Sequence, residues 1–281
     1  MRFGVSGQFQ LQVDDGPSTP WFDNLITEAG LDQIGLGDYL TWCALGTGST
    51  APAPADTALA TLLVTTNNLT SSSIEAGKHT VRFVFPAGTA TGLLTEVGIG
   101  WDMTGTPLFS RAVLPEALEV NATQSLTVLY ELTLTPPAVD EVYQITLTGG
   151  VLTTCTARAA YVGNAADWAW GLPGTKIEFA LGPDSAPINY DGAIGLTTAF
   201  PAGTAAPCSS RVLADYVPGS HYLEMEGRWN LSIGNFPDGV DATLVCTNGY
   251  GAYQIGFDPP IVRTCYDSLK LTYRVSWDRV A

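Results

Sequence analysis

The chain offers little material for acid–base or nucleophilic chemistry, and each candidate has a competing structural use. It holds two histidines, His79 and His221. His79 opens the run Thr80-Val81-Arg82-Phe83-Val84-Phe85 with the parity of Val81 and Phe83, so it reads as a packed strand-end residue rather than a general base. His221 follows Pro218-Gly219-Ser220 and reads as a strand start. Glu224 and Glu226 stand at i and i+2 on one strand face, a spacing that could divide acid and base roles in glycoside hydrolysis. In so acidic a chain, an adjacent pair carries little weight. Asp184, Asn189 and Asp191 could offer hard oxygen ligands to Ca²⁺. They lack the alternating ligand spacing of an EF-hand loop and read as a solvated acidic loop. Gly46-Thr47-Gly48-Ser49-Thr50-Ala51-Pro52 looks like a phosphate loop but has no Lys-Ser/Thr, and Pro52 removes a donor, so it reads as a crossing between sheets. Gly-x-Ser-x-Gly does not occur. The five cysteines, Cys43, Cys155, Cys208, Cys246 and Cys265, contain no C-x-x-C and are expected to be reduced and mostly buried. No catalytic residue, cofactor-binding residue or metal ligand is assigned, no cofactor is implied, and no enzymatic activity is expected.

Recognition chemistry has better candidates. Trp168 and Trp170 share one strand face. Exposed, they would form a sugar platform or a protein hot spot; buried, they would be sandwich core, the reading favoured here. Phe109 beside Arg111 could anchor a protein interface, since aromatic and Arg side chains dominate hot spots. The competing use of Arg111 is an internal partner such as Glu96.

The elements that must position these residues are strands. Ser125 to Thr135 places Leu126, Val128, Tyr130, Leu132 and Leu134 on one face, a half-buried strand. Ser268 to Asp278 does the same with Leu269, Leu271, Tyr273, Val275 and Trp277. Alternation and β-branched content predict further strands at 3–13, 39–45, 78–85, 94–101, 142–148, 153–162, 175–181, 222–233 and 243–247. Turns are expected at 14–17, 104–107, 218–220, 248–249 and 258–260. One helix is expected over Asp23 to Gly30, and a helical turn from Asp56.

Pro136-Pro137 cannot continue a central ladder, so a boundary is placed there. The expected architecture is all-β, two tandem, distantly related β-sandwich modules over 1–137 and 138–281. Three matches suggest a duplication: Ser125 onward with Ser268 onward, Cys43–Leu63 with Phe179–Thr198, and Gly98–Asp102 with Gln254–Asp258.

Composition sets outer bounds. In 281 residues, 46% are hydrophobic and only 14% charged, which suits a folded chain. Twelve Lys+Arg against 27 Asp+Glu give a net charge of −15, which argues against nucleic acid as the partner. No apolar run is long enough for a membrane span, so no membrane insertion is expected. Met1 to Gln8 contains no uninterrupted apolar run, so no secretory signal is expected.

Four segments occur in order: Phe22-Asp23-Asn24-Leu25-Ile26-Thr27-Glu28-Ala29-Gly30-Leu31-Asp32; Leu45 to Pro52 with Asp56-Thr57-Ala58-Leu59; Thr95 to Trp101 with Leu108-Phe109-Ser110-Arg111-Ala112; and SLTVLYELTL from Ser125. Together they resemble a group of structural proteins of tailed bacteriophages, of the tail, baseplate or fibre-associated type. The resemblance covers roughly residues 3 to 136. It implies a virion component assembled in the bacterial host cytoplasm, with other virion proteins as partners, and maps no active site onto this chain. A closed homo-oligomer, taken as a trimer, is the expected assembly. Two other roles share these features: a receptor- or glycan-binding module at the tail tip, and a capsid decoration protein. A hydrolase of cell-surface polymer would need two carboxylates in one pocket.

Overall fold

In the computed structural model, residues 1–37, 40–165, 167–168, 176–179 and 187–280 are described. The fold is nearly all β, with a single helix among these residues. In chain order the first half contains β1 (Arg2–Val13), β2 (Phe22–Asp23), β3 (Leu25–Ile26), α1 (Glu28–Leu36), β4 (Trp42–Gly46), β5 (Leu62–Thr66), β6 (Leu69–Glu75), β7 (Lys78–Phe85), β8 (Gly92–Gly100), β9 (Leu108–Val120) and β10 (Leu126–Thr135). The second half contains β11 (Glu141–Thr146), β12 (Leu152–Ala160), β13 (Ile188–Tyr190), β14 (Ala205–Pro207), β15 (Ser210–Leu213), β16 (Tyr222–Trp229), β17 (Val240–Cys246), β18 (Ala252–Ile261) and β19 (Leu269–Arg279).

The strands form three sheets. A five-stranded sheet, β3-β9-β8-β4-β5, belongs to the first half, and a six-stranded sheet, β11-β12-β18-β17-β13-β14, to the second. The third has eight strands in the order β15-β16-β19-β1-β10-β7-β6, with β2 paired on β1, and draws on both halves. The join is β1. It runs antiparallel to β10 along its length and parallel to β19 only over Arg2–Val5 against Ser276–Arg279. Alternation drives this sheet: Phe3, Val5, Phe9 and Leu11 of β1, Tyr130 of β10 and Tyr273 of β19 all lie in one continuous hydrophobic core. That core also takes in residues of both other sheets, such as Val97 and Ile255.

The two halves share a connectivity. From β4 to β10 and from β13 to β19 the strands follow one another with the same pairings: each half gives a ladder β4-β8-β9 or β13-β17-β18 and a ladder β6-β7-β10 or β15-β16-β19. Both halves carry the same irregularity. Between Leu94 and Glu96 the partner on β9 jumps from Leu118 to Val113; between Val240 and Ala242 the partner on β18 jumps from Ile261 to Gly256. The extra residues hold Pro115 in one half and Pro259-Pro260 in the other, where a bulge tolerates proline inside a strand. The expected turn at 258–260 is therefore part of β18. This bulge also sets the true register. Tyr130 corresponds to Tyr273, as the sequence match has it, but Gly98 corresponds to Leu244 rather than Gln254, and Ala44 to Ile188 rather than Ala180. Residues 180–186 lie outside the described residues.

The helix lies later than the sequence pattern indicates. Phe22–Asp23 pairs with β1 and Leu25–Ile26 with β9, so α1 begins after them. The Thr27 hydroxyl accepts the Gly30 N–H at 2.9 Å, and Gly37, at φ 84°, ends the helix. Gly30 thus sits inside α1, not at its end. It is required there because a Cβ would stand 2.1 Å from the Phe109 carbonyl oxygen. No helix starts at Asp56; its carboxylate serves an ion pair instead.

Candidate functional site

Arg111 is not a surface anchor: it is 2% exposed and Phe109 is 3% exposed. On β9, the Arg111 guanidinium donates from Nε and Nη2 to Glu96 Oε2 on β8, at 3.1 and 2.9 Å. Nη1 donates to Asp56 Oδ2 at 2.6 Å and Nη2 to the Thr50 carbonyl at 2.8 Å. Glu96, fully buried, also accepts the N–H groups of Gly48, Ala60 and Thr61 at 2.9, 2.9 and 2.7 Å. Burial alone would push the Glu96 carboxyl up, but the three N–H groups and the guanidinium outweigh it and hold the carboxyl below its ordinary value. The β4–β5 loop is therefore pinned to the sheet by one carboxylate and one guanidinium. A Cβ on Gly48 would lie 2.4 Å from Glu96 Oε1, so glycine is needed for the close approach. The loop that looks like a phosphate cradle already holds an anion, and the anion is Glu96.

Residue 254 holds the equivalent position in the second half, by the register the bulges set. Gln254 is fully buried on β18, accepts the Gly195 N–H at 2.7 Å and donates to the Leu196 carbonyl at 2.9 Å. Arg158 on β12 donates from Nη1 to the Gly195 carbonyl at 2.8 Å and pairs through Nε and Nη2 with Asp140. This pins the β13–β14 loop, the counterpart of the β4–β5 loop.

The remaining candidates are accounted for in turn. Trp168 is 1% exposed, donates from Nε1 to the Ala160 carbonyl at 3.0 Å and meets Tyr253 edge-on, so it is core; Trp170 lies outside the described residues. Glu224 is bound by Arg274 through Nε and Nη2 at 2.9 and 2.8 Å, and Glu226 pairs with Arg228, so neither carboxylate stands apart from a cation. His79 is 7% exposed with no hydrogen-bond partner on either nitrogen, and burial pushes its pKa down to about 4. His221 lies 3.5 Å from Asp32, which also accepts the Tyr216 hydroxyl and the Gly219 N–H. Asp191 accepts the Thr204 N–H, Asn189 is fully buried against the Thr243 hydroxyl, and Asp184 lies outside the described residues. Among the described residues no cluster of His, Cys, Asp and Glu could hold a metal ion.

The feature without a sequence signal is a cleft of about 1150 Å³ in the second half, between β11 and β18 on one side and β19 on the other. Tyr143, Ile145, Phe257, Ile261, Leu269 and Leu271 line it. Tyr266 at its rim is 85% exposed and Val262 71%. In the first half the corresponding space is filled: Phe9 of β1 meets Tyr130 at 4.9 Å, and Phe22 packs on Phe9. Tyr273 has no such ring partner among the described residues. Only the pairing pattern of the whole sheet reveals this, because it depends on where β1 stops beside β19.

Comparison with known proteins finds no matching family model, no matching curated protein and no matching solved structure.

Proposed function

We propose that this chain is a structural component of a tailed-phage virion, of the tail, baseplate or fibre-associated type, and that it acts by protein–protein assembly with other virion proteins. The observation that carries the assembly part is the open apolar cleft of the second half. A solvated apolar recess rimmed by Tyr266 and Val262 costs solubility unless something covers it. The virion part is supported by the ordered segments from Phe22, Leu45, Thr95 and Ser125. The burial of Trp168 takes away half of the aromatic platform that a glycan-reading role would use.

Labelling of intact virions with an antibody to this chain, viewed by negative-stain electron microscopy, tests the reading. Label on the tail, baseplate or fibres supports it. Label on the head moves the chain to capsid decoration, and absence of label from particles whose lysate contains the chain refutes a virion role.

A further inference from the structure

We infer that the β19 edge of the second half is an acceptor for one extended strand donated by another protein chain, with apolar side chains at alternate positions and an acidic residue opposite Lys270. The inference deepens the assembly reading by giving the partner's form. It does not depend on which particle the chain belongs to.

The backbone carries the first part of the argument. The Trp277 N–H donates to His221 on the β16 side, and the Ser276 N–H donates to Met1 on the β1 side. Alternation then turns the N–H and C=O groups of Lys270, Thr272 and Arg274 toward the β1 side. There β1 reaches only as far as Ser276, so no strand among the described residues pairs with this edge over Leu269–Arg274. An unpaired edge of this kind is a template for strand addition.

The internal duplication identifies the occupant. At the equivalent edge of β10, β1 supplies the missing strand: Val13 stands opposite Leu126, Leu11 opposite Val128 and Phe9 opposite Tyr130. These three β10 residues correspond to Leu269, Leu271 and Tyr273, which line the cleft. The stretch Gln8–Val13, with its apolar residues at every second position, is the pattern the second slot matches. Between Leu269 and Leu271, Lys270 points outward, is exposed and lies opposite Arg228, itself paired with Glu226. Among the described residues Lys270 has no carboxylate in ion-pair range. An acidic residue on the donor, where Gln12 stands in β1, would supply the missing charge. A second copy is the poorer donor, because its own β1 is already held by β10 and each copy carries a net charge of −15.

The test uses the full chain and a synthetic peptide of the Gln8–Val13 sequence carrying Gln12→Glu. Amide hydrogen exchange is followed residue by residue with and without peptide. The expected result is saturable binding that slows exchange at Lys270, Thr272 and Arg274 and leaves Leu129 and Glu131 of β10 unchanged. A peptide with Gln10→Pro, which cannot complete a ladder, should not protect these amides. The exposed substitution Lys270→Glu should weaken the acidic peptide by about two- to fivefold, the range of an exposed ion pair, and a peptide with Gln12→Lys should regain it. Equal protection by the proline peptide, or no protection at saturating peptide, overturns the inference. So does slow exchange at these amides in the free chain that speeds up on dilution, because that would show a second copy already on the edge. These outcomes are separate from the virion labelling, so either can fail alone.

Discussion

Arg111→Met tests whether the Glu96–Arg111 pin holds the first half together. The substitution keeps the aliphatic stem and removes the guanidinium, together with its bonds to Glu96, Asp56 and Thr50. It leaves a carboxylate at zero exposure without its cation. Removing one partner of a buried pair costs about 3–5 kcal/mol. Glu96 would keep three backbone N–H donors, which places the loss near the lower end, about 3 kcal/mol. With an unfolding entropy of about 2 cal/mol/K per residue, that lowers Tm by about 5 °C. Pairing the change with Glu96→Gln removes the orphaned charge and should recover about 1 kcal/mol or more. Urea unfolding of parent, both single variants and the double variant, followed by circular dichroism, measures the cycle. Acidification gives an independent reading. The Glu96 carboxyl is held below its ordinary value of 4.5, so the pin contributes fully above pH 4.5 and is lost as pH falls through the folded value. The parent should therefore lose more stability on acidification below 4.5 than the double variant does. An Arg111→Met protein within about 0.5 kcal/mol of the parent, the ordinary span of an inconsequential surface change, would refute the reasoning.

Three further outcomes follow from single residues. His79 is buried neutral with its pKa pushed down to about 4, so the unfolded chain takes up a proton from pH 6.5 downward that the folded chain refuses. Between pH 6.5 and 4 this should cost up to about 3 kcal/mol, and His79→Leu should flatten the urea midpoint across that window, with no effect of pH on the difference above 6.5. Burial pushes the Cys155 thiol up to about 11 and the Cys246 thiol up to about 12, and raises Cys43 further still, whereas Cys265 is exposed. A thiol reagent at pH 8 should modify Cys265 fast and Cys43, Cys155 and Cys246 only slowly until urea is added; rapid modification of Cys43 in the native chain would contradict the core described above. Gly30→Ala would gain about 1 kcal/mol of helix propensity, yet its Cβ would meet the Phe109 carbonyl at 2.1 Å, so a net loss of about 2 kcal/mol is expected from chemical denaturation.

Strands with clean alternation were legible from the residues alone. Lys78–Phe85 is found as read, and Leu126–Thr135 and Leu269–Arg279 are found to within a residue or two. Their inward faces are apolar at every second position, which is all that a half-buried strand needs. Strands β9 and β18 escaped the pattern because Pro115 and Pro259-Pro260 interrupt them, and a bulge makes those prolines compatible with pairing. Asp23 and Asn24 are good capping types, but the register of β2 and β3 on their neighbours overrides that local preference and passes the cap to Thr27. Glu96 is legible as a partner for Arg111, but the three loop N–H groups that complete the site come from Gly48, Ala60 and Thr61, where no charge marks them. The cleft had no local signal at all. It arises where β1, paired with β10 along its length, pairs with β19 only over Arg2–Val5.

The two halves solve the same loop-anchoring problem with different chemistry, and the difference bears on their history. Arg111 and Gln254 hold equivalent places on β9 and β18, and both reach the loop between the first two strands of their repeat. The position equivalent to Glu96 is Ala242, so a guanidinium at residue 254 would have no carboxylate beside it and would be a buried, unpaired charge. A neutral amide avoids that cost, because Gln254 can donate and accept with no ionic partner. The charge pair and the amide are therefore alternatives that must change together: Arg with Glu, or Gln with Ala. That paired difference sits within a shared bulge and a shared order of seven strands. If the halves began as copies, each once needed its own strand beside β10 or β19. The first retains it as β1. In the second, β11 and β12 pair with each other and β12 pairs with β18, and among the described residues no strand pairs with the β1 side of β19 from Leu269 to Arg274. The asymmetry that opens the cleft thus lies in how far β1 runs beside each ladder, along β10 but only to Ser276 on β19, and not in the strands the two halves share.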